Sequence, residues 1–244
     1  MRLWSKRLAP QRFRLLGGEP LLNHDLAKYI RAAADFFPDA DRDVVTNGLL
    51  LAKNEHIFPV LIETNTSLTV SLHPTNADEE KVLYSSLELA FQWKDKGLKL
   101  GTAETTRRWT RNYQGEGKEI RPFCDGDPQE SFTHCIYRFC RNIYQEKLYH
   151  CPPLAYLPMI VDQLSTKEEW TPYLAYKGLA ADASDGELEA VIAGDKKFCG
   201  MCPASTVYVP EGQNGSPFQS AKIKSLLAAR IRRDLDGAAA RREG

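Results

Sequence analysis

Arg12-Phe13-Arg14-Leu15-Leu16-Gly17-Gly18-Glu19-Pro20, followed later by Val44-Val45-Thr46-Asn47-Gly48, decides how the first half of this chain folds. Residues 12–16 read as a strand stopped by Gly17-Gly18, where paired glycines let the backbone turn and leave room beside it. Asn23 can cap a helix over 24–37, with Leu26, Ile30, Ala33 and Phe37 at helical spacing and Pro38-Asp39 closing it. Residues 43–46 then form a second strand, punctuated by Asn47-Gly48.

Working outward, 50–61 is a helical stretch interrupted by Pro59. Residues 67–73 alternate cleanly, with Leu68, Val70 and Leu72 on one face and Thr69, Ser71 and His73 on the other. A long helix over 77–96 ends at Gly97, and 98–102 is a fourth strand. Strands alternating with helices predict an α/β fold with a parallel sheet. Beyond 103 the alternation stops. Residues 107–127 are polar and read as a linker or an active-site loop, and cysteine-bearing loops and short strands follow. From Pro217 a terminal helix carries Ile223, Leu226, Leu227, Ile231 and Leu235 on one stripe, with a basic outer face. The expected domains are 1–113, a partial barrel; 114–215, a cysteine-rich domain; and 216–244, a basic amphipathic tail.

Composition bounds the function classes. Apolar residues make up 43% and charged residues 26% of 244 positions, values of a globular chain able to bury a core. Lys plus Arg (32) equals Asp plus Glu (32), so no global field favours nucleic acid or anionic lipid. No apolar run reaches the length of a membrane span. Arg2, Lys6, Arg7, Arg12 and Arg14 precede the first acid, but neither an apolar core nor a small-residue cleavage site accompanies them. A cytoplasmic location is expected. All six cysteines lie in the second half, at 124, 135, 140, 151, 199 and 202, which points to metal binding before disulfides.

Gly17-Gly18-Glu19-Pro20 sits where parallel barrels place their active sites, at the C-terminal end of a strand, and Thr46-Asn47 does the same at the next. As bare patterns both are common turn punctuation. Taken together, strand, Gly-Gly-Glu-Pro, helix, strand and Thr-Asn-Gly resemble the radical S-adenosylmethionine superfamily. The resemblance implies a (β/α) barrel, with Gly17, Gly18, Glu19 and Pro20 around the cofactor's amino group. It puts Asn47 and Ser71 at the ribose. His73 is a weaker match that also reads as a packed side chain.

The cysteines extend the resemblance to the auxiliary-cluster region of SPASM or twitch type. Cys135-x4-Cys140, Cys151 and Cys199-x2-Cys202 would supply four ligands to a 4Fe–4S cluster, one of Cys135 and Cys140 serving. Four thiolates could also hold zinc. Glu146 stands where the family's hairpin often has glycine, and Cys124 is surplus. The Cys-x3-Cys-x2-Cys loop of the family is absent, so the expected fold is a partial barrel lacking its first β/α unit, and S-adenosylmethionine binding is expected to be weak or lost. Complete relatives cleave that cofactor reductively to a 5′-deoxyadenosyl radical that abstracts hydrogen from a peptide or small-molecule substrate. They draw electrons from a reductant such as flavodoxin or ferredoxin. Two further readings stay open: a non-catalytic metal-binding scaffold, and a fragment with no independent role.

Overall fold

The alternation at 67–73 becomes the third strand of a parallel sheet in the computed structural model, which describes residues 1–104, 110–124, 127–165, 167–194, 196–209 and 220–240. The first elements are β1 (Arg12–Leu15), α1 (Leu26–Phe36), β2 (Asp41–Thr46), α2 (Phe58–Glu63), β3 (Ser67–Leu72), α3 (Ala77–Asp95) and β4 (Leu100–Glu104). There follow α4 (Pro128–His134), β5 (Asn142–Tyr144), β6 (Lys147–Tyr149), α5 (Pro152–Val161), α6 (Thr171–Leu174), α7 (Asp185–Ala193) and α8 (Ala221–Ala240). The fold is mixed α/β. Two units emerge: Leu8–Arg108 with Glu211–Gly244, and Met1–Arg7 with Trp109–Pro210. The first seven residues, expected in the barrel, therefore belong with the cysteines, and the terminal helix belongs with the sheet rather than forming a third part.

In the sheet unit the strands lie in sequence order, β1-β2-β3-β4, all parallel. Register places Val44 beside Leu68 and Thr46 beside Val70. Val44, Leu68 and Val70 are fully buried, packed with Leu26 and Ile30 of α1, Val60 and Leu61 of α2, and Leu83 and Leu87 of α3. Each connecting helix therefore covers the same face, as right-handed crossovers between sequential parallel strands require. Thr69 and Ser71 occupy the opposite face, where Asp43 takes a hydrogen bond from Thr69 Oγ1 at 2.9 Å and lies 3.5 Å from Arg14 Nε.

Several boundaries differ from expectation for local reasons. Pro20–Leu22 forms a 3-10 turn, Asn23 closes it, and α1 starts at Leu26 rather than at His24. Pro59 opens α2 instead of interrupting a helix, because the first turn needs no backbone donor there. Leu98 is buried ahead of β4, which starts two residues late at Leu100. On α8, Ile223, Leu226 and Leu227 pack on the sheet unit's core, but Ile231 is 59% exposed and leaves the expected stripe. The α8 charges are partly used internally: Lys94 pairs with Asp234, and Asp95 with Arg230 and Arg233. The Leu235 side chain and the expected start at Pro217 lie outside the described residues. Among the described residues no helix is long and apolar enough to cross a membrane.

Among its described residues the cysteine unit has an antiparallel hairpin, β5-β6, and two small cores. In one, Leu157, Val161, Leu164 and Trp170 pack with Tyr113 and Ile120, so the described part of the stretch expected as a linker contributes to a core. The first residues are fixed through Trp4, fully buried, whose indole Nε1 donates to the Glu146 carbonyl at 2.8 Å. Arg7 adds bonds to the carbonyls of Ala181 and Ala183. The hairpin turns through Gln145 (φ 45°) and Glu146 (φ 65°), both left-handed and neither a glycine. A two-residue hairpin loop of type I′ has positive φ at both positions. Left-handed backbone costs a non-glycine residue about 1–2 kcal/mol, against which glycine's extra unfolded-state freedom offsets about 0.4–1 kcal/mol. Glu146→Gly is therefore expected to stabilise the chain by roughly 0.5–1 kcal/mol. A raised urea midpoint with unchanged slope is the expected observation; an unchanged or lowered midpoint contradicts it.

Candidate functional site

The C-terminal ends of β1 and β2 are tied together by one side chain. Glu19 caps the Pro20–Leu22 turn, and its Oε1 accepts from Leu21 N at 3.0 Å and from Thr46 Oγ1 at 2.6 Å. Its Oε2 accepts from Asn47 N at 2.9 Å. The carboxylate that the resemblance points at a ligand's ammonium is thus already held by three protein donors, and it orients both loops. Thr46 is buried and passes the network on, its Oγ1 accepting from Gly48 N at 3.0 Å. Gly48 has φ 78°, and a Cβ there would stand 2.9 Å from both Leu83 Cδ1 and Val70 Cγ1, so packing and backbone both demand glycine.

Gly17 and Gly18 differ. Neither has a positive φ, and a Cβ built on either meets no atom within 4 Å. The fold does not demand glycine at these positions; what the pair supplies is bare, exposed backbone. After β2, Asn47 lines a cleft of about 150 Å³ with Leu49, His73, Pro74, Thr75, Glu79 and Leu83. The structure therefore brings Asn47 and His73 together. Ser71 does not line this cleft; it stands half-buried on the sheet face opposite the helices. Asp43, which sequence gave no reason to single out, is buried on that same face. Burial pushes its carboxyl up, opposed by the Thr69 hydrogen bond and by Arg14.

In the other unit four cysteines converge from three segments. Cys135 ends α4, and its Sγ accepts from Tyr137 N at 3.3 Å. Cys151 caps α5 directly after the hairpin. Cys199 begins a 3-10 turn that Cys202 closes, donating its N–H to the Cys199 carbonyl at 3.0 Å. Ser131 Oγ of α4 donates to the Cys202 carbonyl at 3.0 Å, and Cys199 Sγ lies 3.7 Å from His150 Nε2. Cys151 and Met201 are buried in a core walled by Tyr113, Tyr137, Tyr173, Tyr176 and Phe198.

The thiols sense one another. Burial first, then Cys135 and Cys199, push the Cys151 thiol up to about 12. Burial, then Cys151, Cys135 and Cys199, push Cys202 up as well. Cys135 is raised by burial and by Cys140. Cys140 is exposed, and its thiol neighbour in this network is Cys135. Cys124 is exposed, with Sγ 3.6 Å from the Tyr173 hydroxyl. All six cysteines are thiols rather than disulfides. Among the described residues no three His, Cys, Asp or Glu side chains are placed so that they could hold a metal ion. A single zinc with bonds of about 2.3 Å would draw four sulfurs to about 3.8 Å of one another. A cluster spaces its thiolates wider, because irons and sulfides stand between them. Of the four, Cys151 is buried and Cys135, Cys199 and Cys202 are half-buried, beside a largely apolar shell. The tyrosines and Arg141 of this shell were not singled out from sequence, since they are scattered from 113 to 176 without a period.

The chain matches no protein-family model, and no curated protein matches it at a significant level.

Because Glu19 joins two loops, replacing it tests the tie itself. In Glu19→Gln one carboxylate oxygen becomes an NH₂, which cannot accept, so either Asn47 N or the Thr46–Leu21 pair loses its partner. A loss of about 1–2 kcal/mol is expected for a hydrogen bond to a charged group, measured by urea unfolding. Unchanged stability would mean that the three bonds contribute nothing net.

Proposed function

We propose that this chain is a radical S-adenosylmethionine-type protein whose cysteine unit holds an auxiliary iron–sulfur cluster through Cys135, Cys151, Cys199 and Cys202. The observation that supports it is that the four cysteines come from three separate segments around one core, in which Cys151 is buried and Cys202 half-buried, with Cys135 and Cys199 acting on both of their thiols. A cluster bound there would supply a one-electron store shielded from water. The chain's own residues provide soft sulfur donors, an aromatic wall, and a 3-10 turn that presents two sulfurs together. Cys140 stands at the edge and Cys124 outside the donor set.

We further propose that β1–β4 are a segment of a (β/α) barrel. The support is the strand order without reversal and the single helix-covered face, whereas a doubly wound sheet reverses order and covers both faces. The polar face of Asp43, Thr69 and Ser71 would line the barrel's interior. Gly17, Gly18 and Pro20 would meet the cofactor's amino end and Asn47 its ribose, while Glu19 holds both loops in place; Ser71, outside the cleft that Asn47 lines, is left out of the ribose contacts. A cleft of about 150 Å³ takes only part of such a ligand, since pockets for molecules of that size begin at about 300 Å³. The six cysteines offer no Cys-x3-Cys-x2-Cys spacing, so cofactor binding without reductive cleavage is expected of the 244 residues alone.

Anaerobic loading tests the centre. Iron and sulfide near four of each per chain, with a broad visible absorption, are expected for one 4Fe–4S cluster. Serine at 135, 151, 199 or 202 should lower the iron content, and serine at 124 or 140 should leave it unchanged. One equivalent of zinc without iron would sink the assignment and leave a metal scaffold.

The cofactor site is tested separately by Gly18→Ala. A methyl group there meets no atom, so melting should hold or rise slightly. Calorimetric S-adenosylmethionine binding should weaken several-fold, because the methyl occupies the ligand's approach. Equal binding by both proteins would remove the ligand from this loop.

A further inference from the structure

Cys199-Gly200-Met201-Cys202 is a turn whose geometry suits a second chemistry, one that needs no metal. The Cys202 N–H donates to the Cys199 carbonyl at 3.0 Å across a single 3-10 turn, Cys199–Met201. Such a bond brings the first and fourth Cα atoms within about 7 Å of each other. Side chains three residues apart on a 3-10 turn also eclipse, so both sulfurs leave the backbone on one side. A disulfide needs Cα atoms about 4.4–6.8 Å apart. Rotation about the two Cα–Cβ bonds can therefore close the bridge with the backbone where it stands. Cys135 and Cys140 are instead divided by two successive turns, closed by Arg138 N on the Cys135 carbonyl at 3.4 Å and by Cys140 N on the Tyr137 carbonyl at 2.8 Å.

The two sulfurs of the turn are differently placed, although both cysteines are half-buried. Cys202 lines a cleft of about 30 Å³ with Cys135, Ser131 and His134. That space holds a water or two and no incoming disulfide. The described lining of the cleft does not include Cys199, whose Sγ lies 3.7 Å from His150 Nε2. The turn itself is held firmly. Met201 is fully buried between the two cysteines, and Ser131 Oγ of α4 donates to the Cys202 carbonyl at 3.0 Å. Cys199 is thus the sulfur an outside reagent meets first, and Cys202 the one that waits behind it.

We infer that Cys199 and Cys202 form a thiol–disulfide exchange pair whose substrate is a low-molecular-weight disulfide, with Cys199 making the first attack. The Cys199 sulfur displaces one half of the substrate as a thiol and forms a mixed disulfide. The Cys202 sulfur then attacks Cys199 Sγ and releases the other half. Two protein thiols become one disulfide, and the substrate, having taken two electrons and the two thiol protons, leaves as two thiols. The second attack occurs within one turn, where effective concentrations far exceed those of an external thiol. The inference does not rest on the cluster proposed above. It concerns the metal-free chain, and bridge and cluster exclude each other because they use the same two sulfurs.

The full chain, reduced and freed of metal by a chelator, is equilibrated without oxygen in mixtures of reduced and oxidised glutathione. Free thiols are then alkylated, and the bridges mapped by peptide mass spectrometry. The oxidised-to-reduced ratio of the Cys199–Cys202 pair is expected to exceed that of the exposed Cys124 and Cys140 by about tenfold or more. Cys202→Ser should accumulate glutathione on Cys199, whereas Cys199→Ser should take it up at Cys202 about tenfold more slowly. A bridge between other cysteines would overturn the inference, as would oxidation of Cys199 and Cys202 no deeper than that of Cys124 and Cys140. Equal glutathione uptake by the two serine variants would overturn the order of attack. The mapping uses the unaltered chain, so the pair stands or falls without a variant. Iron loading is a separate measurement on the reduced chain, so the cluster and the exchange pair fail separately.

Discussion

Right-handed crossovers between parallel strands laid down in sequence order leave a sheet with one apolar face and one polar face. Everything in the Leu8–Arg108 unit follows from that constraint. Val44, Leu68 and Val70 must face helices, so Asp43, Thr69 and Ser71 must face away from them. All the strands point the same way, so the loops after β1, β2 and β3 gather at one end. That end is where Glu19 can reach Thr46 and Asn47, and where Asn47 and His73 share a cleft. A carboxylate with three donors is a stiff joint, since each oxygen is fixed by a partner from a different direction.

The cysteine unit is governed by a different cost. Buried thiols ionise reluctantly, and each ionised neighbour makes the next harder still, as the rise at Cys151 and Cys202 records. Protonated, they are small apolar groups that pack with Met201 and the tyrosines. A bound cation would reverse this preference, because the ligand form is the thiolate and binding releases protons. The same residues pack as an ordinary apolar core while protonated and would become a charged centre only with a cation bound.

Strands with one buried face were legible in sequence. At 67–72 the alternation of Leu68 and Val70 with Thr69 and Ser71 is a direct print of the two sheet faces. The α3 limits were legible too, with Asn76 accepting from Asp78 and Glu79 at the start and Gly97 just beyond the end. What competed locally was misjudged: Asn23 looks like a helix cap but closes a 3-10 turn set by Pro20. The resemblance at Gly-Gly-Glu-Pro located a real junction of strand ends. It did not reveal that the glutamate is occupied by the protein, because its partners Thr46 and Asn47 lie 27 and 28 residues away. Arg141 had no signal in sequence, since nothing in the pattern links it to its three acceptor carbonyls, Arg138, His150 and, 51 residues on, Ile192.

Trp4 sets the order of events when the chain is made. Its indole reaches a carbonyl 142 positions further along, so at 5–20 residues per second the ribosome needs about 7–30 s to deliver that partner. Meanwhile β1 to β4 are complete and can pair among themselves. A large aromatic side chain flanked by Arg2, Lys6 and Arg7 therefore waits for its partner while the sheet is already able to form. The cysteine unit can close only after synthesis has passed well beyond the sheet.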